Sequence, residues 1–138
     1  EYFARGLALM HQGHSESARE NLTKAGQLNQ KVVYFMNNLA WTLATHHDPA
    51  IRKPDQAMLL AEIVASLTQR RNSMFLDTLA AAYAAQGEYD EAIRVMQNVV
   101  DRASEVGDVD AANLFSQRLE SYPQANRFRE RTGTSPPD

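Results

Sequence analysis

Apolar side chains recur at intervals of three and four residues along most of the chain. Two segments show this most clearly, with apolar positions at Leu76, Leu79, Ala80 and Tyr83 in one and at Ala92, Val95, Met96 and Val99 in the other. This spacing puts the apolar groups on one face of an α-helix. No stretch alternates apolar and polar residues convincingly over the length of a strand, so the pattern predicts an all-α fold.

Glycine and proline divide the pattern into seven predicted helices, over about residues 1–12, 15–28, 31–45, 54–69, 73–85, 89–105 and 109–121. Pro54 suits the first position of the fourth helix, where its missing N–H is not needed. Asn72 or Ser73 can cap the fifth helix by accepting from a free backbone N–H. The connections are short, so consecutive helices are expected to form antiparallel hairpins. The tail at residues 131–138, which contains Gly133, is predicted to be disordered.

The helical pattern also repeats. Its clearest copy carries Leu76, Leu79, Ala80, Tyr83, Gly87, Tyr89 and Ala92, and this unit resembles the tetratricopeptide repeat. Looser copies contain Tyr2, Gly6, Leu9, Gly13, Ala18, Leu22 and Ala25, and then Met36, Leu39, Ala40, Leu43, Ala57, Ala61 and Val64. Gly6 and Ala40 are 34 positions apart, which is the period of the family, whereas Ala40 and Ala80 are 40 apart. About six residues are therefore inserted, mainly in the loop at residues 45–53.

The resemblance implies a right-handed α–α superhelix of three hairpins, over about residues 1–30, 31–70 and 72–105, within a domain spanning 1–130. Small residues would let helices approach closely, and large ones would fill the gaps beside them. The small set is Ala40, Ala57, Ala80 and Ala92, and the large set is Leu39, Leu43, Leu79 and Tyr83. A capping helix over about residues 109–122, with an apolar stripe that includes Phe115, Arg118, Leu119 and Tyr122, would seal the last hairpin.

The resemblance further implies that the first helix of each hairpin lines a concave groove for a peptide or helix of a partner protein. The positions carried over are Phe3, Leu7 and Met10, then Tyr34, Asn37, Asn38, Trp41 and Thr45, and finally Met74, Asp77, Thr78 and Ala81. Asn37 and Asn38 could hydrogen-bond a peptide backbone, and Asp77 could take a basic side chain. An alternative places Phe3, Leu7 and Tyr34 in the core or against a preceding repeat.

One subgroup of the family clamps a C-terminal carboxylate with lysine and asparagine side chains. Asn38 occupies one of those places, but Phe3, Met74 and Thr78 stand where basic residues are expected, and Leu7 replaces an asparagine. The sequence therefore predicts a largely apolar groove.

The charge and composition of the chain argue against several classes of function. The net charge of −3 argues against a nucleic-acid partner, because such proteins usually present a basic face. The chain has no cysteine, so it has neither disulfides nor thiolate metal ligands. His46, His47 and Asp48 lack further ligands at suitable spacing, so no metal site is predicted. No catalytic or cofactor-binding motif is present, and no apolar run is long enough for membrane insertion of this segment.

These observations predict a non-catalytic protein–protein interaction scaffold. The alternative is an accessory or oligomerisation segment of a larger assembly, or of a membrane-bound glycosyltransferase-like enzyme, because some bacterial proteins with this repeat carry such a region before it. Repeat proteins also self-associate through exposed end faces. The first residue is not methionine, so we expect a fragment of a longer protein. Cytoplasm and periplasm both fit, with or without a membrane tether in a preceding region.

Overall fold

The structure is a computed structural model that describes residues 1–123, and within that range it contains seven α-helices and no strand. The helices are α1 (Tyr2–His11), α2 (Ser15–Leu28), α3 (Gln30–Thr45), α4 (Pro54–Leu67), α5 (Ser73–Ala85), α6 (Tyr89–Glu105) and α7 (Val109–Glu120). The predicted all-α class is confirmed, and so are the helix positions, with small differences at the ends. The predicted tail at 131–138 and the domain boundary at 130 lie outside the described residues.

Helices that are consecutive in the chain pack against each other. This holds for α1 with α2, α3 with α4, α5 with α6 and α6 with α7. Successive helix pairs are joined by α4 packing against α5, by α3 packing against α5, and by α2 packing against α4 and α3. The closing helix α7 packs chiefly against α6. The helices α3 and α5 are therefore neighbours although α4 separates them in the sequence.

The hydrophobic core runs through all the hairpins and is densest in α4 and α5. Its largest fully buried side chains are Leu22, Met36, Leu60, Val64, Leu79, Ile93, Met96 and Val99. The four alanines predicted at close helix contacts are all buried, which confirms that part of the pattern. Leu43 and Leu79 are buried as predicted, whereas Leu39 and Tyr83 are only partly buried against the core.

Three of the turns between helices depend on glycine. Gly13, Gly87 and Gly107 have φ of 83°, 80° and 75°, a left-handed conformation that other residues adopt only with strain. The residue after each glycine donates its N–H back to the carbonyl five residues earlier, as in the hydrogen bond from His14 N–H to Leu9 O at 2.9 Å. The turn after α4 makes the same bond, from Arg70 N–H to Ala65 O, but with Gln69 at φ 55°. A residue with a side chain thus stands where the other turns have glycine.

Polar side chains mark the starts of several helices. The Asn72 side chain accepts from the N–H groups of Met74 and Phe75, which confirms it as the cap of α5. Pro54 occupies the first turn of α4, as predicted. The segment 46–53 between α3 and α4 is not helical, and Lys53 N–H donates to Leu43 O across it at 2.9 Å. These caps satisfy backbone groups that a helix end leaves without partners.

None of the helices within residues 1–123 is both long enough and apolar enough to cross a membrane.

Candidate functional site

A cavity of about 420 Å³ lies where α3, α5 and α7 meet. Its lining consists of Asn37, Asn38, Trp41 and Thr42 from α3, Met74, Asp77 and Thr78 from α5, and Arg118 from α7. Positions three and four apart fall on one face of a helix, so α3 and α5 each direct a short row of side chains into the same space. Six of the twelve residues that the sequence assigned to a groove therefore lie together. We call this space the central cavity.

The guanidinium of Arg118 lies between two residues of the central cavity. Its Cζ atom is 4.9 Å from the centre of the Trp41 ring, a distance at which a cation is attracted to the face of an indole. Its Nη2 atom is 3.4 Å from Oδ2 of Asp77. One side chain of α7 thus connects the first helices of two hairpins.

Asp77 is an acidic side chain in an unusual place. It is only 4% exposed, in the middle of a helix whose neighbouring positions are also buried. Burial raises the pKa of its carboxyl group, and the charge of Arg118 opposes that rise. Among the described residues, its Oδ1 atom has no hydrogen-bond donor. The pairing of Asp77 is therefore incomplete.

Two further polar atoms near the central cavity are buried without a hydrogen-bond partner among residues 1–123. One is Oδ1 of Asn37, which lines the cavity. The other is the hydroxyl of Tyr122, just after α7. Burial and the nearby charge of Asp77 raise the pKa of Tyr122 to about 12. Buried polar groups are normally paired, so this cluster has hydrogen-bonding capacity that the fold itself does not use.

Four of the other six predicted groove residues lie elsewhere. Phe3 and Leu7 in α1 are half-buried and pack against the core. Ala81 is buried at 6% exposure and does not line the central cavity. Tyr34 lies at a separate cavity of about 700 Å³ near the starts of α3 and α5, where its ring meets Phe75 edge-on at 5.4 Å.

The two remaining predicted groove residues, Met10 and Thr45, also lie outside the lining of the central cavity. Met10 is buried in the core, and Thr45 is exposed with its hydroxyl donating to Trp41 O.

The central cavity has a mixed lining, in which Trp41 and Met74 stand among polar side chains. Thr42 and Arg118 line the central cavity but were not among the predicted groove residues. Arg118 was missed because the resemblance draws groove positions from the first helices of the hairpins and assigns α7 only a capping role. Arg118 and Tyr122 are four positions apart, beside the buried Phe115 and Leu119 on the inner face of α7. The position of Arg118 on an apolar stripe of α7 was the sequence signal that could have identified it as a cavity residue.

No group of three or more His, Asp or Glu side chains within residues 1–123 is placed to hold a metal ion. The rings of His46 and His47 stack at 4.5 Å, and Nδ1 of His46 accepts from the N–H of Asp48. These contacts give the histidine pair a role in shaping the α3–α4 loop.

Comparisons of this chain with protein-family models, with curated proteins and with solved structures find no match. Functional inference therefore depends on the residues and contacts of the chain itself.

Proposed function

We propose that this chain is a tetratricopeptide-type interaction module, in which three helical hairpins form a right-handed superhelix closed by α7. The central cavity is its binding site, and the ligand is an extended or helical segment of a partner protein. The proposal is supported first by packing. Gly6, Ala40 and Ala80, three small residues at helical repeat positions, are buried.

The observation that carries the binding proposal is the position of the central cavity between α3 and α5, the first helices of two successive hairpins. Trp41 offers a large aromatic face, Met74 is 59% exposed, and Asn38 is exposed at the rim. Aromatic anchors surrounded by polar groups that fix orientation are typical of peptide-binding surfaces. Shape and chemistry of the cavity both favour a peptide ligand.

A binding role without catalysis fits the titratable groups present. Among the described lining residues only Asp77 and Arg118 carry charge, and they are paired with each other. Within residues 1–123 no histidine or lysine joins the lining to act as a base for the hydroxyls of Thr42 and Thr78, and the Thr78 hydroxyl donates to Met74 O. The proposed mechanism is burial of ligand side chains against Trp41 and Met74, with polar attachment by Asn37 and Asn38.

Selection of peptides from a random display library tests this function without knowledge of the natural partner. The selected peptides should bind the wild-type chain and lose about tenfold or more in affinity to Asn38→Ala and Met74→Ala, a loss of about 1.4 kcal/mol. Both side chains are exposed, so neither change should disturb the fold. Leu28→Ala is a matched control, because Leu28 is 65% exposed and lies outside the cavity lining. Failure to select any peptide that depends on Asn38 or Met74 contradicts the proposal.

Self-association is a second candidate, supported by the aromatic residues exposed on α3. Phe35 and Tyr34 are 61% and 58% exposed, and large apolar side chains at a protein surface mark interaction sites when they are contiguous. This would suit an accessory or oligomerisation segment of a larger assembly. Sedimentation equilibrium of the wild type and of Phe35→Ser tests self-association. A wild-type dimer that Phe35→Ser dissociates supports self-association, and a wild-type monomer rules it out.

A further inference from the structure

The central cavity already holds one guanidinium, and that group belongs to the chain itself. Arg118 lies over the indole of Trp41 and beside the carboxylate of Asp77. A flat cation is attracted to the face of an indole and can also pair with a carboxylate. The helices α3 and α5 thus form a small site suited to a guanidinium, which we call the arginine subsite (Trp41 and Asp77). In this structure, α7 supplies its occupant.

Arg118 uses only part of the arginine subsite. Its Nη2 atom lies 3.4 Å from Oδ2 of Asp77, whereas a well-formed N–H to carboxylate bond is about 2.7–2.9 Å long. The second carboxylate oxygen, Oδ1, has no donor among the described residues although Asp77 is almost completely buried. A guanidinium that approaches freely can donate to both oxygens of a carboxylate at once. The arginine tethered to α7 leaves that second bond unmade.

The charged group that acts on the Asp77 carboxylate comes from α7. Arg118 belongs to α7, and Tyr122, whose phenol is influenced by the charge of Asp77, follows directly after it. The helix α7 itself packs chiefly against α6. The side chain of Arg118 is 36% exposed, so solvent and solutes reach it. Displacement of Arg118 frees the arginine subsite without separating α3 from α5.

We propose that the arginine subsite accepts an arginine side chain of the partner segment, and that Arg118 is an internal mimic which the partner's arginine displaces. This inference rests on the proposed function and specifies the chemistry of its ligand. Arginine fits better than lysine, because a planar guanidinium can stack on Trp41 while it donates to both oxygens of Asp77. The competition makes binding depend on the fraction of molecules in which α7 has released the subsite.

The test uses the full chain and a blocked tripeptide, acetyl-Gly-Arg-Gly-amide. Trp41 is the only tryptophan in the chain, so its fluorescence reports directly on the subsite. Arg118→Met empties the subsite and keeps most of the aliphatic stem that packs against the helix, and this variant should bind the tripeptide at least about tenfold more tightly than the wild type. A tripeptide with citrulline in place of arginine keeps the shape and removes the charge, and it should bind neither protein.

Two further variants keep the test decisive. Asp77→Asn combined with Arg118→Met leaves no buried charge and should lose the binding gained by Arg118→Met. Arg19→Met removes another interhelical ion pair, that of Arg19 with Glu62 at 2.9 Å, and should bind like the wild type. Equal affinity of the wild type and Arg118→Met overturns the inference, and so does equal affinity for the citrulline peptide. Circular dichroism shows whether Arg118→Met folds. If it does not, the inference requires that the double variant folds and fails to bind the arginine tripeptide. It also requires that the library-selected peptides bind the wild type more weakly when citrulline replaces their arginines.

The two proposals fail in different ways. Library peptides that bind the central cavity but contain no essential arginine would leave the interaction module intact and refute the arginine subsite. A library that gives no ligand for the cavity would refute the proposed function, whatever the tripeptide does with Arg118→Met.

Discussion

Gly6 in α1 lies directly against Leu22 in α2. A Cβ atom on Gly6 would stand 2.6 Å from Leu22 Cγ and 2.7 Å from its Cδ2, and Leu22 is fully buried. Alanine is worth about 1 kcal/mol over glycine within a helix, but overpacking a core costs about 1–3 kcal/mol. We therefore expect Gly6→Ala to lower the free energy of unfolding by about 0–2 kcal/mol, measured by urea denaturation.

Gly26 provides the comparison for this experiment. A Cβ there would meet Leu67 Cδ1 at 2.5 Å and Met36 Cε at 3.2 Å, and both atoms are the ends of flexible side chains that can move. Gly26→Ala should therefore change stability by less than Gly6→Ala. Equal effects at the two positions would show that the α1–α2 contact is looser than the structure indicates.

Gln69 adopts the left-handed conformation that Gly13, Gly87 and Gly107 adopt in the other turns. This conformation costs a residue with a Cβ about 1–2 kcal/mol, whereas glycine tolerates it. Glycine also loses more entropy on folding, which offsets part of the gain. We expect Gln69→Gly to raise the free energy of unfolding by about 0.5–1 kcal/mol, measured by denaturant titration.

Gln12 is the matched control for Gln69. It follows α1 with φ of −83°, so glycine relieves no strain there. Gln12→Gly should lower stability by about 0.5–1 kcal/mol. A loss of stability in both variants would mean that Gln69 is not strained.

Asp77 should make stability depend on pH in an identifiable direction. Burial raises the pKa of the folded-state carboxyl above its ordinary value of 3.8, so the native state binds more protons than the unfolded state just above that pH. The stability that this group contributes is complete below pH 3.8 and falls as the pH rises through the folded-state pKa. Asp77→Asn removes this dependence, so the stability of the variant minus that of the wild type should increase as the pH rises from 3.8.

The pH experiment compares urea midpoints of both proteins at several pH values. All other titrating groups are common to the two proteins, and their effects largely cancel in the difference. A difference that decreases with pH would mean that the ion pair with Arg118 outweighs burial, and that the folded-state pKa lies below 3.8.

The hydroxyl of Tyr122 is buried without a hydrogen-bond partner among the described residues, while its ring packs against the core. Removing an unpaired buried polar group is neutral or favourable, so Tyr122→Phe should raise the free energy of unfolding by about 0–1 kcal/mol. Tyr122→Ala removes the ring as well and should be clearly destabilising. A loss of stability with Tyr122→Phe would show that the hydroxyl has a hydrogen-bond partner in solution. Thermal unfolding followed by circular dichroism measures both changes.

Local signals were sufficient to predict the helices. These signals are the three-and-four spacing of apolar residues, the cap at Asn72 and the proline at position 54. Each acts over a few residues, so each can be recognised in the sequence. Ala40 and Ala80 are buried, as the resemblance to the repeat implied.

The central cavity was predictable only in part. Asn37, Trp41 and Asp77 could be assigned from the resemblance to the repeat, but the side chain that lies between Trp41 and Asp77 comes from α7. The distance from Trp41 to Arg118 depends on how every intervening hairpin packs. Neither the incomplete pairing of Asp77 nor its burial follows from any local pattern, since an acidic residue in a helix is usually exposed.

Most helix contacts in this fold join neighbours in the chain, such as α1 with α2 and α5 with α6. Chains dominated by such local contacts fold within microseconds to milliseconds, because few long loops must close. The contact between Trp41 and Arg118 is different, because the two residues are separated by most of the described chain. It can form only when the helices between them have packed. Fluorescence of the single tryptophan should therefore follow the last stage of folding, after circular dichroism has recorded the formation of the helices.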